Sequence, residues 1–452
     1  MDALTFLKSR TQTRRGRGLY IFLCLLPIIG GIVARLIGHG WAFMDIDAVL
    51  CAAKAEAAGH SPYGVLKCSG IDPAPYVYAP QVVTLFQPFV AAFGALGARF
   101  VFVFVLLLPA TMLLLWFALV RAMPDTDWRW RLLAFSGLTP MTFCCGNIGI
   151  VMHAGVLLSL LLARGRRWPF VLTVLACVAI KPTFLVYFIV ILFEHRPLKA
   201  RIAAFTGCVA EGLGVTGLVL ATAGHWGAAW EEALRSVTLQ TQPGLGWMAL
   251  TSYIGLDSDG VVTIVLTLGF MAAMLLSGLA IVEWGGLDEG GRRLTALGLA
   301  PLMTPRLMDY DMILIVPYVA LLLSLMPRLK QPLLEKWLPW AFVAVLAVGI
   351  VCNILHLKHW HRTHVAMFLF SSMTLVVGGR LAIIQLVAPE HFPPKWTPVW
   401  RKDMRQNKTW KKNEEGMLPD GGKGDVLPPG KAVRALFNPD LKRRSKNRRA
   451  GI

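Results

Sequence analysis

Residues 168–193 read WPFVLTVLACVAIKPTFLVYFIVILF, an apolar run whose one charge is Lys181, followed by Pro182. The run exceeds the ~20 residues that cross a bilayer as one helix. Proline cannot continue the helical hydrogen-bond ladder, and it pushes the residue before it into extended backbone. The stretch therefore reads as two short helices meeting at an outer turn that carries Lys181. Other apolar runs lie at roughly 19–37, 79–97, 99–120, 131–144, 147–163, 201–222, 259–283, 294–307, 311–327, 337–356 and 366–388. Of the 452 residues, 56% are apolar and 16% charged, whereas soluble domains carry roughly 25% charged residues. The fold class expected is an all-α polytopic membrane protein, in which segment length is the main signal and amphipathic period is weak.

Charge sets the expected topology. Arg10, Arg14, Arg15 and Arg17 precede the first run, which is too long for a signal core and lacks a small-residue cleavage site. It reads as an uncleaved first span, with residues 1–18 inside. Arg164, Arg166, Arg167, the segment 195–201, Arg292, Arg293, Arg328 and Lys330 are assigned to the cytoplasmic side. This parity holds only if 79–97 does not cross. Its Pro80, Gln81, Gln87, Pro88, Gly94 and Gly97 suit a re-entrant or surface-lying helix beside a cavity. About twelve crossings over 19–388 follow, with both termini cytoplasmic and outer loops at 38–98 and 223–258. The formal charge is +19, and much of the excess sits in the tail 389–452. That tail, rich in Pro, Gly and charge, is expected to be disordered and to meet anionic lipid at the cytoplasmic face. No aromatic-rich nucleic-acid motif accompanies it, so no nucleic-acid partner is expected. Cys51 and Cys68 share the first outer loop, where a disulfide is open to them.

With this topology, the unusual polar residues collect on the outer side. Asp45 and Asp47 read either as functional carboxylates beside a cavity or as an interfacial helix cap. Tyr63 and Tyr78 suit a sugar face or an aromatic belt. Asn147 follows Gly146, and His153 lies six residues further on. Lys181 needs a partner, such as a phosphate or Asp45, unless it snorkels to the interface. Arg306, Asp309 and Asp311 interrupt a run that is otherwise apolar from about 294 to 327. Arg306 suits bidentate phosphate contact; the two carboxylates suit sugar hydroxyls and leave room for a divalent ion. The loop 223–258 adds Trp226, Trp230, Arg235, Gln240, Gln242 and Trp247, suited to carbohydrate or to the membrane surface. The loop 357–365 holds His359, His361 and His364 without a nearby carboxylate, a weak metal pattern. No Rossmann glycine motif or P-loop is present, so no nucleotide site is expected.

Phe43-x-Asp45, the alanine-rich segment after it, Gly59-x-x-Pro62-Tyr63 and Tyr78-Ala79-Pro80 resemble the first loop of glycosyltransferase family 87 of the GT-C superfamily. Gly146-Asn147 is similar to a Gly-Gln-x-Asn element of that family, Lys181-Pro182 to a recurrent Lys-Pro, and Thr304-Pro305 through Asp311 to its Ser-Pro turn. The similarity covers most of residues 15–390. It departs at Ala79, where the family has proline, and at Met308 to Asp311, where many members carry a tryptophan and histidines.

The resemblance implies a GT-C-like bundle and an inverting transfer of a hexosyl (mannosyl first) or pentosyl unit. The donor would be a polyprenyl-phosphate-linked sugar and the acceptor an envelope glycolipid or polysaccharide, on the outer side of the cytoplasmic membrane. Asp45 would be the base, preferred over Asp47. Lys181 and Arg306 would hold the phosphate. Tyr63, Tyr78, Asn147, His153, Gln240, Asp309 and Asp311 would face sugar or acceptor. No cofactor is required by this chemistry. The alternative is a transporter or flippase of lipid-linked saccharides, which would share the cavity and broken helices; no internal repeat is visible to favour it.

Overall fold

The computed structural model describes residues 2–37, 42–64, 66, 68, 73–122, 126–163, 166–241, 244–257, 260–354 and 359–387. The expectations for the tail 389–452, for Gln242, and for the side chains of Gln240 and the histidine-bearing loop 357–365 lie outside the described residues. Among the described residues every regular element is a helix. Six are long and apolar enough to cross a membrane: Arg14–Val33, Pro80–Arg121, Leu198–Ala221, Val261–Trp284, Asp309–Leu329 and Ala366–Val387. Three shorter apolar helices accompany them, Ile148–Leu162, Trp168–Ile180 and Pro182–Leu192.

The layering follows from which faces can be greasy. Phe22, Leu213, Leu218 and Leu386 point outward and are more than half exposed, an arrangement suited to hydrocarbon rather than water. Leu198–Ala221 is peripheral, with 6% of its most apolar stretch buried, whereas Asp309–Leu329 is central, with 83% buried. Small residues allow the helices to meet closely, the usual device where no hydrophobic effect drives helix association. Gly378, in His359–Val387, lies so close to Ser277 of Val261–Trp284 that a Cβ there would strike the Ser277 backbone.

Lys181 ends the Trp168–Ile180 helix in extended backbone (φ −143°, ψ 97°), and Pro182 opens a 3-10 segment, Pro182–Phe188. The break falls where the sequence places it. A buried charge cluster pins the far end of this segment. Arg201 Nη1 donates to Glu283 Oε1 at 2.8 Å and Arg292 Nη2 to the same oxygen at 2.7 Å. Arg292 Nε also donates to the Phe193 carbonyl at 2.8 Å. Sequence charge alone places Arg201 and Arg292 at a cytoplasmic surface; in the fold both turn inward, at 0% and 3% exposure, because Glu283 and backbone carbonyls receive them.

The region 80–121 is helical in two parts, divided by non-helical backbone at Gly94 (φ 65°, ψ 169°), close to the boundary between the apolar runs 79–97 and 99–120. Its first part packs against Met44–Ala57. Cys51 and Cys68 are joined by a disulfide, Cα–Cα 5.9 Å, across 17 residues. Closing a loop of this size stabilises by about 3 kcal/mol in the chain-entropy account. Cys51→Ser is therefore expected to lower the thermal unfolding midpoint of purified protein. A reductant should lower the wild type equally and leave the variant unmoved.

Candidate functional site

The site begins with a backbone crossing. Phe43 adopts a left-handed conformation (φ 69°) just before the Met44–Ala57 helix. Its N–H donates to the Cys144 carbonyl at 2.6 Å, and the Asp45 N–H donates to the Cys145 carbonyl at 2.9 Å. Gly146 lies against this turn with φ +70°; a Cβ there would sit 2.7 Å from Phe43 Cα. Asn147 then caps the Ile148–Leu162 helix, its side-chain oxygen accepting from the Gly149 N–H at 2.7 Å. The same amide donates from Nδ2 to Asp45 Oδ2 at 2.7 Å. One asparagine thus satisfies an orphan helix donor and orients the carboxylate.

Asp45 and Asn147 line a cavity of about 310 Å³ together with Lys181, Arg306, Tyr78 and Tyr310. Ala48, Val77, Ile180, Leu234, Val237 and Met248 supply apolar wall. Lys181 comes from the helix break, and Arg306 from the turn that follows the Glu289–Met303 helix. Trp230, on the short helix Gly227–Ala233, also lines the cavity and donates through Nε1 to the Val77 carbonyl at 3.2 Å. Asp45 lies outside the candidate spans. Burial pushes its carboxyl above the ordinary value, more than the Asn147 hydrogen bond and the nearby Lys181 and Arg306 pull it down.

The other sequence-derived residues divide around this cavity. Asp47 faces away from it. It is fully buried and pairs with Arg99 Nε at 2.9 Å. Residues two apart on an α-helix point roughly 200° apart, so Asp45 and Asp47 cannot face one cavity together. Tyr63 sits behind Tyr78, its hydroxyl donating to the Tyr78 carbonyl at 3.0 Å. Asp309 accepts from Thr139 Oγ1 at 2.6 Å. Asp311 and His153 are buried beside each other, with His153 Nε2 2.8 Å from Asp311 Oδ1. None of Asp47, Tyr63, His153, Asp309 and Asp311 is part of the lining of this cavity. Gln240 lies on the helical segment Leu234–Thr241, whose Leu234 and Val237 line the cavity.

Arg99 is a positioning group absent from the sequence-derived set. Besides Asp47, it donates through Nη2 to the Ala42 carbonyl at 2.6 Å, and its guanidinium lies 5.7 Å from the Phe43 ring centroid. It joins the 80–121 run to the turn before Asp45. The signal that marks it is a lone cation inside an apolar stretch. Arg99→Ala leaves Asp47 buried without its cation, which costs about 3–5 kcal/mol. The expected result is a large fall in unfolding midpoint, with Arg99→Ala/Asp47→Asn recovering much of it. A double variant no more stable than the single one would remove this role.

Fold and site together define a chain that is all-helical among its described residues, with helices long and apolar enough to cross a membrane and a partly polar cavity. No family model matches the chain, and no curated protein or solved structure matches it.

Proposed function

We propose that the chain is a membrane glycosyltransferase of the GT-C kind, moving a hexosyl or pentosyl unit from a polyprenyl-phosphate sugar to an envelope glycolipid or polysaccharide. The observation that carries the reading is the shared cavity of Asp45, Lys181 and Arg306. A carboxylate and two cations from three distant parts of the chain form a set suited to displacing phosphate from an anomeric carbon. In the proposed step the acceptor hydroxyl attacks that carbon, and the carbon–oxygen bond to phosphate breaks with inversion. The hydroxyl proton passes to Asp45. The negative charge leaves on polyprenyl phosphate, held by Lys181 and Arg306. The sugar phosphodiester is already activated, so positioning and charge stabilisation suffice.

The membrane arrangement belongs to the same proposal: about twelve crossings, the short helix from Pro80 to the Gly94 break as the re-entrant element, both termini cytoplasmic and the cavity on the outer side of the cytoplasmic membrane. The Cys51–Cys68 disulfide supports an outer placement of the first loop, since disulfides persist in oxidising compartments. Resemblance to glycosyltransferase family 87 supports mannose as the first sugar to test. The test is incubation of purified protein with radiolabelled polyprenyl-phosphate mannose, arabinose or glucose and a membrane lipid extract. Label is expected to move from one donor into extracted lipid or polymer. If none moves while the protein carries a labelled saccharide across a vesicle membrane, the transferase reading falls and a transporter takes its place.

A further inference from the structure

We infer that Asp311 is a positioning residue, the buried counter-charge that holds Lys181 ionised and aimed into the cavity, rather than a ligand of the sugar. The purpose assigned to Lys181 rests on the proposed phosphate site; the pairing itself does not. Asp311 is 3% exposed and has both oxygens occupied. Oδ1 faces His153 Nε2 at 2.8 Å and Lys181 Nζ at 3.6 Å, and Oδ2 accepts from the Met308 N–H at 3.0 Å. A carboxylate only accepts, so Nε2 carries the proton; in the neutral ring Nδ1 then accepts from the Tyr187 hydroxyl, 2.7 Å away. Asp311 is thus anchored from behind and cannot swing into the cavity without losing these bonds. Lys181 is held from the front as well. Its Nζ donates to the Tyr310 hydroxyl at 3.2 Å and lies 4.6 Å from that ring's centroid.

The geometry separates two duties. Lys181 lines the cavity, while Asp311, His153 and Tyr187 form a chain behind it. An ammonium buried this far needs a nearby negative charge to remain an ammonium. Its contact with Asp311 is long enough to be exchanged: an arriving phosphate would take the ammonium, while His153 and the Met308 N–H keep Asp311 satisfied.

The experiment is a double-mutant cycle of Asp311→Asn and Lys181→Met on the full chain in detergent, read by unfolding midpoint. It is accompanied by mass-spectrometric measurement of Lys181 acylation and by binding of farnesyl phosphate. Asp311→Asn is expected to lower the midpoint by roughly 5–10 °C in the wild-type background and by little in Lys181→Met. Lys181 acylation should rise about tenfold, and farnesyl phosphate should bind about tenfold more weakly. An equal fall in midpoint in both backgrounds, with unchanged Lys181 acylation, overturns the inference. If Asp311→Asn alone does not accumulate, recovery of folded protein by adding Lys181→Met supports the pairing, and failure to recover overturns it. A coupled pair in a protein that binds no farnesyl phosphate would leave the pairing standing and remove the phosphate reading of the cavity.

Discussion

Asp45→Asn is expected to reduce sugar transfer by about 10²–10⁴-fold, the range spanned by a positioned general base, while leaving the fold at least as stable as wild type at pH above the folded Asp45 value. Asparagine keeps the shape and a hydrogen-bonding partner for Asn147, whose Nδ2 lies 2.7 Å from the carboxylate. What it loses is the ability to take a proton. The stability half of the expectation follows from the direction of the Asp45 shift, upward through burial. A carboxyl that binds its proton more tightly when folded favours the fold at low pH. That contribution is lost as pH climbs from the unfolded value through the raised folded value. Above the folded value the wild type has lost it, and an amide never carried it. The same direction sets the rate profile. Transfer should increase with pH through the folded Asp45 value, so its acidic limb lies above the ordinary carboxylate range. The measurements are kcat/KM against pH and unfolding midpoints of both proteins. A variant with wild-type turnover would remove the base assignment, whatever its stability.

Gly146→Ala should damage activity about 100-fold and cost about 2–4 kcal/mol of stability, although residue 146 touches no substrate in the proposed reaction. Two costs combine. The position has φ +70°, where an L side chain is strained. The new methyl would also lie 2.7 Å from Phe43 Cα and 2.8 Å from Phe43 Cβ. Backbone has little freedom to yield, and Phe43 is two residues from Asp45. Relief of the clash would separate the Phe43–Asp45 turn from Cys144, Cys145 and Asn147, whose hydrogen bonds fix the carboxylate. Gly214→Ala is the control, since open space surrounds that position. It should leave transfer unchanged and can only raise helix propensity. The pair is measured by transfer rate and thermal unfolding. Wild-type turnover in Gly146→Ala would show that the crossing does not set the position of Asp45.

Much of the cavity is legible in sequence because a membrane makes polar residues conspicuous. Asp45, Lys181 and Arg306 each stand out against apolar surroundings, and burial there demands a reason. Their meeting in one cavity follows from the fold's path, which local pattern does not contain. Arg99 carries the same local signal, and only the fold shows that it serves Asp47 and the turn before Asp45.

The sequence by itself determined the helical, lipid-suited character of the chain, since long apolar runs leave the backbone no other way to satisfy its hydrogen bonds. It also determined the break at Lys181, which proline chemistry enforces locally. Tertiary structure decided between residues of identical chemistry. Asp309 and Asp311 lie on a 3-10 segment, Asp309–Leu314, where residues two apart diverge by about 240°. One meets Thr139 and the other meets His153 and Lys181. Asp45 and Asp47 part company likewise on an α-helix, one toward the cavity and one toward Arg99. Spacing says that such pairs separate; only the packing of distant helices around them says which member faces the cavity.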